Sequence, residues 1–319
     1  MISIIIPVKK INKYVQETVP EILKTQTEDF EIIIVTDKKD NTNKCPKTKI
    51  INSGEKGPAF KRDLAVKYAK GDILAFLDDD AYPEKDWLKN ALLHFKNKKV
   101  AAVGGPAITP SANSLFQKAS GAVSESFIGG GGARNRFLSI GKAKKIDDWP
   151  TVNLLVRKNI FEEIGGFDTN FWPGEDTKLC LDILNKGYKI IYEPKTIVYH
   201  HRRNSFFGYF KQVGNYGIHR GFFVKKFPQT SFRFWYFCPS LLLLYLILLT
   251  ILFLSGIYSL IFFIPLFIYF IGVILDSIII SIRWKNMFIG ILTTPMIFLT
   301  HLWYGVRFIQ GLLIKELKS

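Results

Sequence analysis

The stretch Ile73-Leu74-Ala75-Phe76-Leu77-Asp78-Asp79-Asp80 decides the fold. Five apolar residues follow one another with no polar residue alternating among them. A strand covered on both faces requires that pattern, and such strands belong to parallel sheets. Three carboxylates then come without a break. Side by side they repel, and a fold that gave them no partner would be weakened. Ligands of an open α/β sheet bind beyond the carboxyl ends of its strands, so the run stands where a ligand is expected. A divalent cation would relieve the repulsion, and Mn²⁺ or Mg²⁺ takes oxygen ligands and is shared with phosphates. Side chains alternate along an extended chain, which predicts Asp78 and Asp80 on one side and Asp79 on the other.

Outward from this run, continuous apolar segments of strand length recur at residues 2–8, 31–36, 49–52 and 100–104. Segments of helical period lie between them. Residues 56–69 place Phe60, Leu64 and Tyr68 on one face. Residues 83–95 carry Pro83 near the first turn, then Trp87, Leu88, Leu92 and Phe95. The alternation predicts an open, mostly parallel, Rossmann-like α/β sheet with right-handed crossovers. Its first strand ends at Pro7-Val8, its second at Thr36-Asp37 and its fourth at Asp78.

The last third of the chain reads differently. No charged residue occurs between Arg233 and Asp276, and a spanning helix needs roughly 20 apolar residues. Two transmembrane helices are expected, at about 237–255 and 258–282, joined near Ser255-Gly256. A third apolar segment, about 287–304, is expected to span or to re-enter, and residues 306–317 read as an interfacial helix. Lys225, Lys226 and Arg233 precede the first helix and Arg283 and Lys285 follow the second. That places both ends, and the N-terminal domain with them, on the cytoplasmic side of the cell membrane. Trp235, Tyr236 and Trp284 suit the interface, and Asp276, near the end of the second segment, reads as a snorkelling or interfacial residue. The net charge of +16 fits an anionic membrane surface, whereas a nucleic-acid partner has no motif behind it. Three scattered cysteines, Cys45, Cys180 and Cys238, exclude a disulfide framework or a zinc cluster. The first residues read as a strand, with no cleavable signal peptide visible.

At this point the sequence resembles the family 2 glycosyltransferases of the GT-A fold. The matching residues are Ser3-Ile4-Ile5-Ile6-Pro7-Val8, Asp37, Lys61-Arg62-Asp63, Phe76-Leu77-Asp78-Asp79-Asp80, Asn153-Leu154-Leu155-Val156-Arg157, Gly165-Gly166-Phe167-Asp168 and Gly174-Glu175-Asp176. They cover roughly residues 1–200 in the family's order. The resemblance implies a GT-A catalytic domain over 1–205; the basic and aromatic residues of 206–235 read as an amphipathic interfacial segment, and the apolar runs place a transmembrane region at 236–319. The resemblance implies that Pro7, Val8 and Asp37 line the base pocket, that Arg62 lies near the nucleotide, and that Asp78 and Asp79 belong to the nucleotide-sugar site. Asp80, with Asp78, would hold the metal, and a histidine, His200 or His201, would reach the metal or the diphosphate. Asp176 would be the general base, with Glu175, Asn153 and Trp172 on the acceptor side. The family often has Asn where this chain has Asp63.

The residues themselves add a mechanism. Asp176 opens a helix, 176–186, whose Leu179, Ile183 and Leu184 turn inward. A carboxylate at a helix N-terminus is favoured in its ionised form, the form a base needs. One base implies a single displacement and inversion. The glycine run Gly129–Gly132 is expected to be a lid or a flexible connection. The polysaccharide synthases' Q-x-x-R-W motif is replaced here by Gln212-Val213-Gly214-Asn215-Tyr216. The expected reaction therefore moves one sugar from a nucleotide-diphosphate sugar to a polyprenyl phosphate or diphosphate glycan, in surface-glycan or polysaccharide biosynthesis. The alternative is a processive membrane polysaccharide synthase.

Overall fold

The computed structural model describes residues 1–39, 45–167, 171 and 173–317. Its strands are β1 (Ile2–Pro7), β2 (Phe30–Thr36), β3 (Thr48–Asn52), β4 (Ile73–Leu77), β5 (Ala81–Pro83), β6 (Val100–Gly104), β7 (Ala107–Ile108), β8 (Lys144–Ile146), β9 (Asn153–Arg157), β10 (Lys189–Tyr192) and β11 (Val198–His200). Its helices are α1 (Lys13–Thr25), α2 (Pro58–Val66), α3 (Trp87–Leu92), α4 (Leu115–Glu125), α5 (Phe127–Gly130), α6 (Lys158–Glu163), α7 (Glu175–Asn185), α8 (Phe206–Lys226), α9 (Pro228–Ser231), α10 (Phe234–Leu254), α11 (Ile264–Arg283) and α12 (Met287–Leu313). The chain divides into two compact units, 1–108 with 138–201, and 109–137 with 202–318.

The first unit is built on an eight-stranded sheet in the order β3-β2-β1-β4-β9-β6-β10-β8. Strands β3, β2, β1 and β4 run parallel, β9 runs against both β4 and β6, and β8 runs against β10. The apolar runs are continuous because both faces are covered. Ile2, Ile4 and Ile6 pack with Val15, Val19 and Ile22 of α1, while Ile5 of the same strand packs on the other face with α2 residues Ala59 and Ala65. α1 begins at Asn12, whose side chain accepts from the amides of Tyr14 and Val15, and it buries Val15, Thr18, Val19 and Ile22 at helical spacing. The chain leaves β1 toward β2 and β3 and returns to its other side with β4, so the crevice between the ends of β1 and β4 is a topological switch point. A small second sheet, β5-β11-β7, is attached at that edge.

The second unit is helical. Three of its segments are long and apolar enough to cross a membrane: Phe234–Leu254, Leu260–Arg283 and Met287–Leu313. The tail from residue 306 to 313 is not a separate element. It continues α12, a single helix of 27 residues, about 40 Å long at 1.5 Å per residue. The helix continues past Arg307 because that side chain is accommodated: its Nη1 donates to Gln310 Oε1 at 2.6 Å and its Nε to the Gly214 carbonyl at 3.4 Å. α8 lies along α12 on a seam of glycines. A Cβ on Gly221 would stand 2.2 Å from the Phe308 carbonyl oxygen, and one on Gly311 2.1 Å from that of Ile218. Small residues let two helix backbones approach this closely.

Residues 109–137 also belong to this unit. Ala119, Ala122 and Val123 of α4 pack with Val273 and Ile280 of α11 and Ile289, Met296 and Ile297 of α12. The glycine run is not a loose lid: it closes α5 and enters a 3₁₀ turn, with Gly132 against the Trp235 ring. Asp276 does not snorkel. It is buried, and its two carboxylate oxygens accept from the amides of Phe127 at 3.0 Å and Ile128 at 2.6 Å. The unpaired amides that begin α5 supply the donors that hold this carboxylate inside.

Candidate active site at the strand ends

β4 delivers Asp78 to the edge of the sheet, and the chain turns at once, the Ala81 amide donating to the Asp78 carbonyl at 3.1 Å. β5 then pairs antiparallel with β11, setting Ala81 opposite His200. That register brings the His200 ring to Asp80, with Nε2 at 3.0 Å from Oδ1. Ligand atoms of Asp78, Asp80 and His200 all lie within 4.8 Å of one another. His201, one residue on, faces the other way. Its Nε2 is 2.9 Å from Glu17, and its ring packs on Tyr14 and Tyr82. The period of two along β11 separates the histidines.

The same alternation separates Asp79 from its neighbours. It accepts from the Asn12 side-chain amide at 2.6 Å. Burial, and then the charge of Asp80, push its carboxyl up to about 6. Asn12 therefore serves twice, as the cap of α1 and as the partner of Asp79. Its place before a helix is legible as a cap, but nothing in the sequence points to Asp79, 67 residues away.

Arg62 joins the two acidic segments of the site. It is 3% exposed, its Nη2 donates to Asp78 Oδ1 and its Nη1 to Glu175 Oε1, both at 2.8 Å. Burial alone would lower its pKa, but Asp78, Glu175 and Asp176 outweigh it and hold the guanidinium firmly charged. Its buried Nε has no hydrogen-bond partner among the described residues. Lys61, the preceding residue on α2, is buried as well. It pairs with Asp37 and donates to the Val8 carbonyl at 2.6 Å, so the ends of β1 and β2 are tied together. Asp63 accepts from the Phe167 amide at 3.1 Å. A Cβ on Gly166, whose φ is +74°, would come within 2.7 Å of that carboxylate.

α7 opens with Gly174 at φ +116° as its N-cap, followed by Glu175 and Asp176 in its first turn. Asp176 is partly exposed, and its Oδ1 accepts from the Thr177 amide at 2.8 Å. The Thr177 hydroxyl donates to the buried Asp148 at 3.1 Å, which seats the start of the helix. Neither Asp148 nor Lys61 carries a role in the sequence reading, although Lys61 adjoins Arg62.

Two acceptor-side expectations change. Asn153 is fully buried, and its amide is engaged at both ends: Oδ1 accepts from Trp87 Nε1 at 2.8 Å, and Nδ2 donates to the carbonyls of Pro106 and Thr196 at 3.1 and 2.7 Å. A group so engaged is a strut between β9 and its neighbours, not an acceptor contact. Glu175 is 5% exposed and faces Arg62, so it acts on the guanidinium. Trp172 and Asp168 lie outside the described residues. The donor set of the Asp78–Asp80–His200 group, two carboxylates and an imidazole, fits a divalent ion of the Mn²⁺ or Mg²⁺ class.

The family model described as glycosyl transferase family 2 matches residues 3–165, half of the chain. The chain belongs to that family. Among its relatives, a Methanococcus voltae protein described as a dolichyl N-acetyl-α-D-glucosaminyl phosphate 3-β-D-2,3-diacetamido-2,3-dideoxy-β-D-glucuronosyltransferase is 25% identical over 98% of this chain and 97% of its own length. A pre-mycofactocin glycosyltransferase of Mycobacterium tuberculosis is 28% identical over 51% of this chain. The match spans about a third of that relative, 34% of its length. Among solved structures, a mannosyltransferase from Pyrobaculum calidifontis in complex with GDP-mannose and Mn²⁺ superposes with a TM-score of 0.65, at 15% identity, over 99% of this chain and 88% of its own. That likeness is one of fold. This family 2 chain therefore combines a mixed, mostly parallel α/β sheet of the GT-A type with apolar helices of membrane-spanning length.

Proposed function

We propose that the chain is an inverting glycosyltransferase that moves one sugar from a nucleotide-diphosphate sugar to the hydroxyl of a lipid-linked glycan at the cytoplasmic face of the membrane. The observation that carries this reading is the junction made by Arg62. It binds Asp78, at the end of β4, and Glu175, at the start of α7, and so couples the strand-end acids to the helix that bears Asp176. The three apolar helices and the dolichyl-phosphate acceptors named for the M. voltae and Haloferax volcanii relatives support the choice of acceptor.

In this reading Pro7, Val8 and Asp37 receive the base, with Lys61 holding Asp37 in place. Asp78, Asp80 and His200 would hold a divalent cation, which supplies Lewis-acid stabilisation of the charge growing on the departing diphosphate. Arg62 adds fixed positive charge beside the same site and keeps Asp78 and Glu175 oriented. Asp176, ionised at the start of α7, takes the proton of the attacking acceptor hydroxyl. One displacement by that hydroxyl inverts the anomeric carbon.

Membranes containing the full-length protein, incubated with labelled nucleotide sugars and Mn²⁺ or Mg²⁺, are expected to yield label in the organic extract, one sugar per lipid. If no donor labels the organic phase, the lipid acceptor is ruled out. Water-soluble polymer would point instead to processive synthesis.

A further inference from the structure

The helical unit holds fifteen lysines and arginines against three acidic residues, which accounts for twelve of the chain's sixteen net positive charges. Two of those acids, Glu125 and Asp276, are 1% and 3% exposed. A carboxylate in such surroundings is costly unless its oxygens are met by donors. Both are met. Asp276 accepts the two amides that begin α5. Glu125 accepts from the Thr109 hydroxyl at 3.2 Å and from Trp284 Nε1 at 3.1 Å, and Arg283 Nη1 stands 3.9 Å away.

Three arginines surround these acids. Arg134 follows the segment that Asp276 fixes. Its Nε donates to the Glu125 carbonyl at 2.8 Å, and its guanidinium lies 3.4 Å over the Phe127 ring. Arg202 donates at 3.0 Å to the Thr109 hydroxyl that is itself bonded to Glu125, and it lies over Phe137. Arg283 ends α11. Three guanidiniums from three separate segments thus stand around Glu125, one on its main-chain carbonyl, one joined to its carboxylate through Thr109 and one 3.9 Å from that carboxylate. Burial, and then the charge of Arg283, push Arg134 down from its ordinary pKa, so the like charges are close enough to oppose one another. All three arginine side chains keep some exposure. The guanidinium fork takes phosphate oxygens bidentately, and basic clusters beside a membrane helix attract lipid phosphates.

We propose that Arg134, Arg202 and Arg283 form a binding site for the phosphate of a membrane lipid, with Glu125 and Asp276 as positioning residues. The site deepens the acceptor part of the function proposed above and rests on it only for the source of the phosphate. A polyprenyl phosphate and an anionic headgroup offer the same chemistry.

The test uses the full-length protein in phosphatidylcholine nanodiscs with no nucleotide sugar present, so its result does not depend on whether sugar is transferred. A diazirine-bearing dolichyl phosphate is the probe. Wild-type protein is expected to be photolabelled, and inorganic pyrophosphate to compete. The double variant Arg134→Gln/Arg283→Gln should lose labelling by about tenfold or more, while Arg134→Lys/Arg283→Lys loses no more than about threefold. Competition by unlabelled dolichyl phosphate alone assigns the site to a carrier lipid. Equal competition by phosphatidylglycerol assigns it to a bulk headgroup. The proposal is overturned if the glutamine variant labels like wild type. It is equally overturned if a diazirine-bearing dolichol without phosphate labels wild-type protein as well as the phosphate does, a comparison that needs no variant to fold.

Discussion

Among the described residues around the ends of β2 and β4 and the start of α7, six acids (Asp37, Asp78, Asp79, Asp80, Glu175 and Asp176) gather about two buried cations, Lys61 and Arg62. Around the end of α11, three arginines stand against Glu125 and Asp276. The first region clusters carboxylates at the ends of the strands, which suits a cation that carries phosphates. The second gathers arginines among apolar helices, in a unit whose net charge is strongly positive, which suits a phosphate attached to a lipid. Each unit is built to want what the other kind of site repels, and that difference follows from counts of side chains and not from shape.

The comparison breaks first at Asp176. Asp176→Asn keeps the helix start but removes the base, and transfer should fall by about 10²–10⁴-fold with donor binding unchanged, read by steady-state kinetics and donor titration. Undiminished transfer would remove Asp176 from the mechanism. Asp80→Asn should lower transfer by about 10²–10³-fold, because charge on the leaving group loses its counter-ion. If excess Mn²⁺ restores the full rate, Asp80 tunes affinity only.

Arg62→Met tests whether the acids need their buried cation. Removing one partner of a buried pair typically costs about 3–5 kcal/mol, so the variant should melt well below wild type in detergent. An unchanged melting temperature would mean that the Arg62 junction contributes little to the fold. The histidines sharpen the same contrast at smaller scale. His200→Ala should raise the metal concentration for half-maximal activity by about 10–100-fold, and His201→Ala should leave it within about threefold. Equal effects would contradict the register of β11.

The smallest effect concerns pH. In metal-free protein, the Asp79 carboxyl is raised from 3.8 to about 6 in the fold. The folded state then binds more protons than the unfolded chain inside that window, so stability from this group is full below pH 3.8 and is lost as pH rises through about 6. Asp79→Asn has no such loss. Its melting temperature should match wild type near pH 3.5 and exceed it increasingly up to pH 6. A constant difference across that range would place the shift elsewhere.

Much of the first region was legible in sequence, because a strand buried on both faces has to be largely apolar: β4 is so throughout, and β1 and β2 are apart from Ser3, Glu31 and Thr36. The order of acids at strand ends followed from that. The choice between His200 and His201 was not legible, since it depends on how β11 registers with β5. Asn153 misled because a buried amide and a ligand-binding amide look alike in sequence; only the packing of Trp87, Pro106 and Thr196 tells them apart. Residues 109–137 hid their allegiance for a related reason. Ala119, Ala122 and Val123 present an ordinary amphipathic face, and their partners on α12 lie about 170 residues further along.

That distance has a consequence for how the protein is made. α4 and α8 both pack against α12, which leaves the ribosome after them. At about 5–20 residues per second, roughly 10–30 s separate the synthesis of α4 from that of α12. During that interval the apolar face of α4 and the glycine seam of α8 have no final partner, so they depend on the bilayer or on a chaperone for cover. α12 is thus the latch of the helical unit, and a nascent chain stalled before Met287 would be a substrate for quality control.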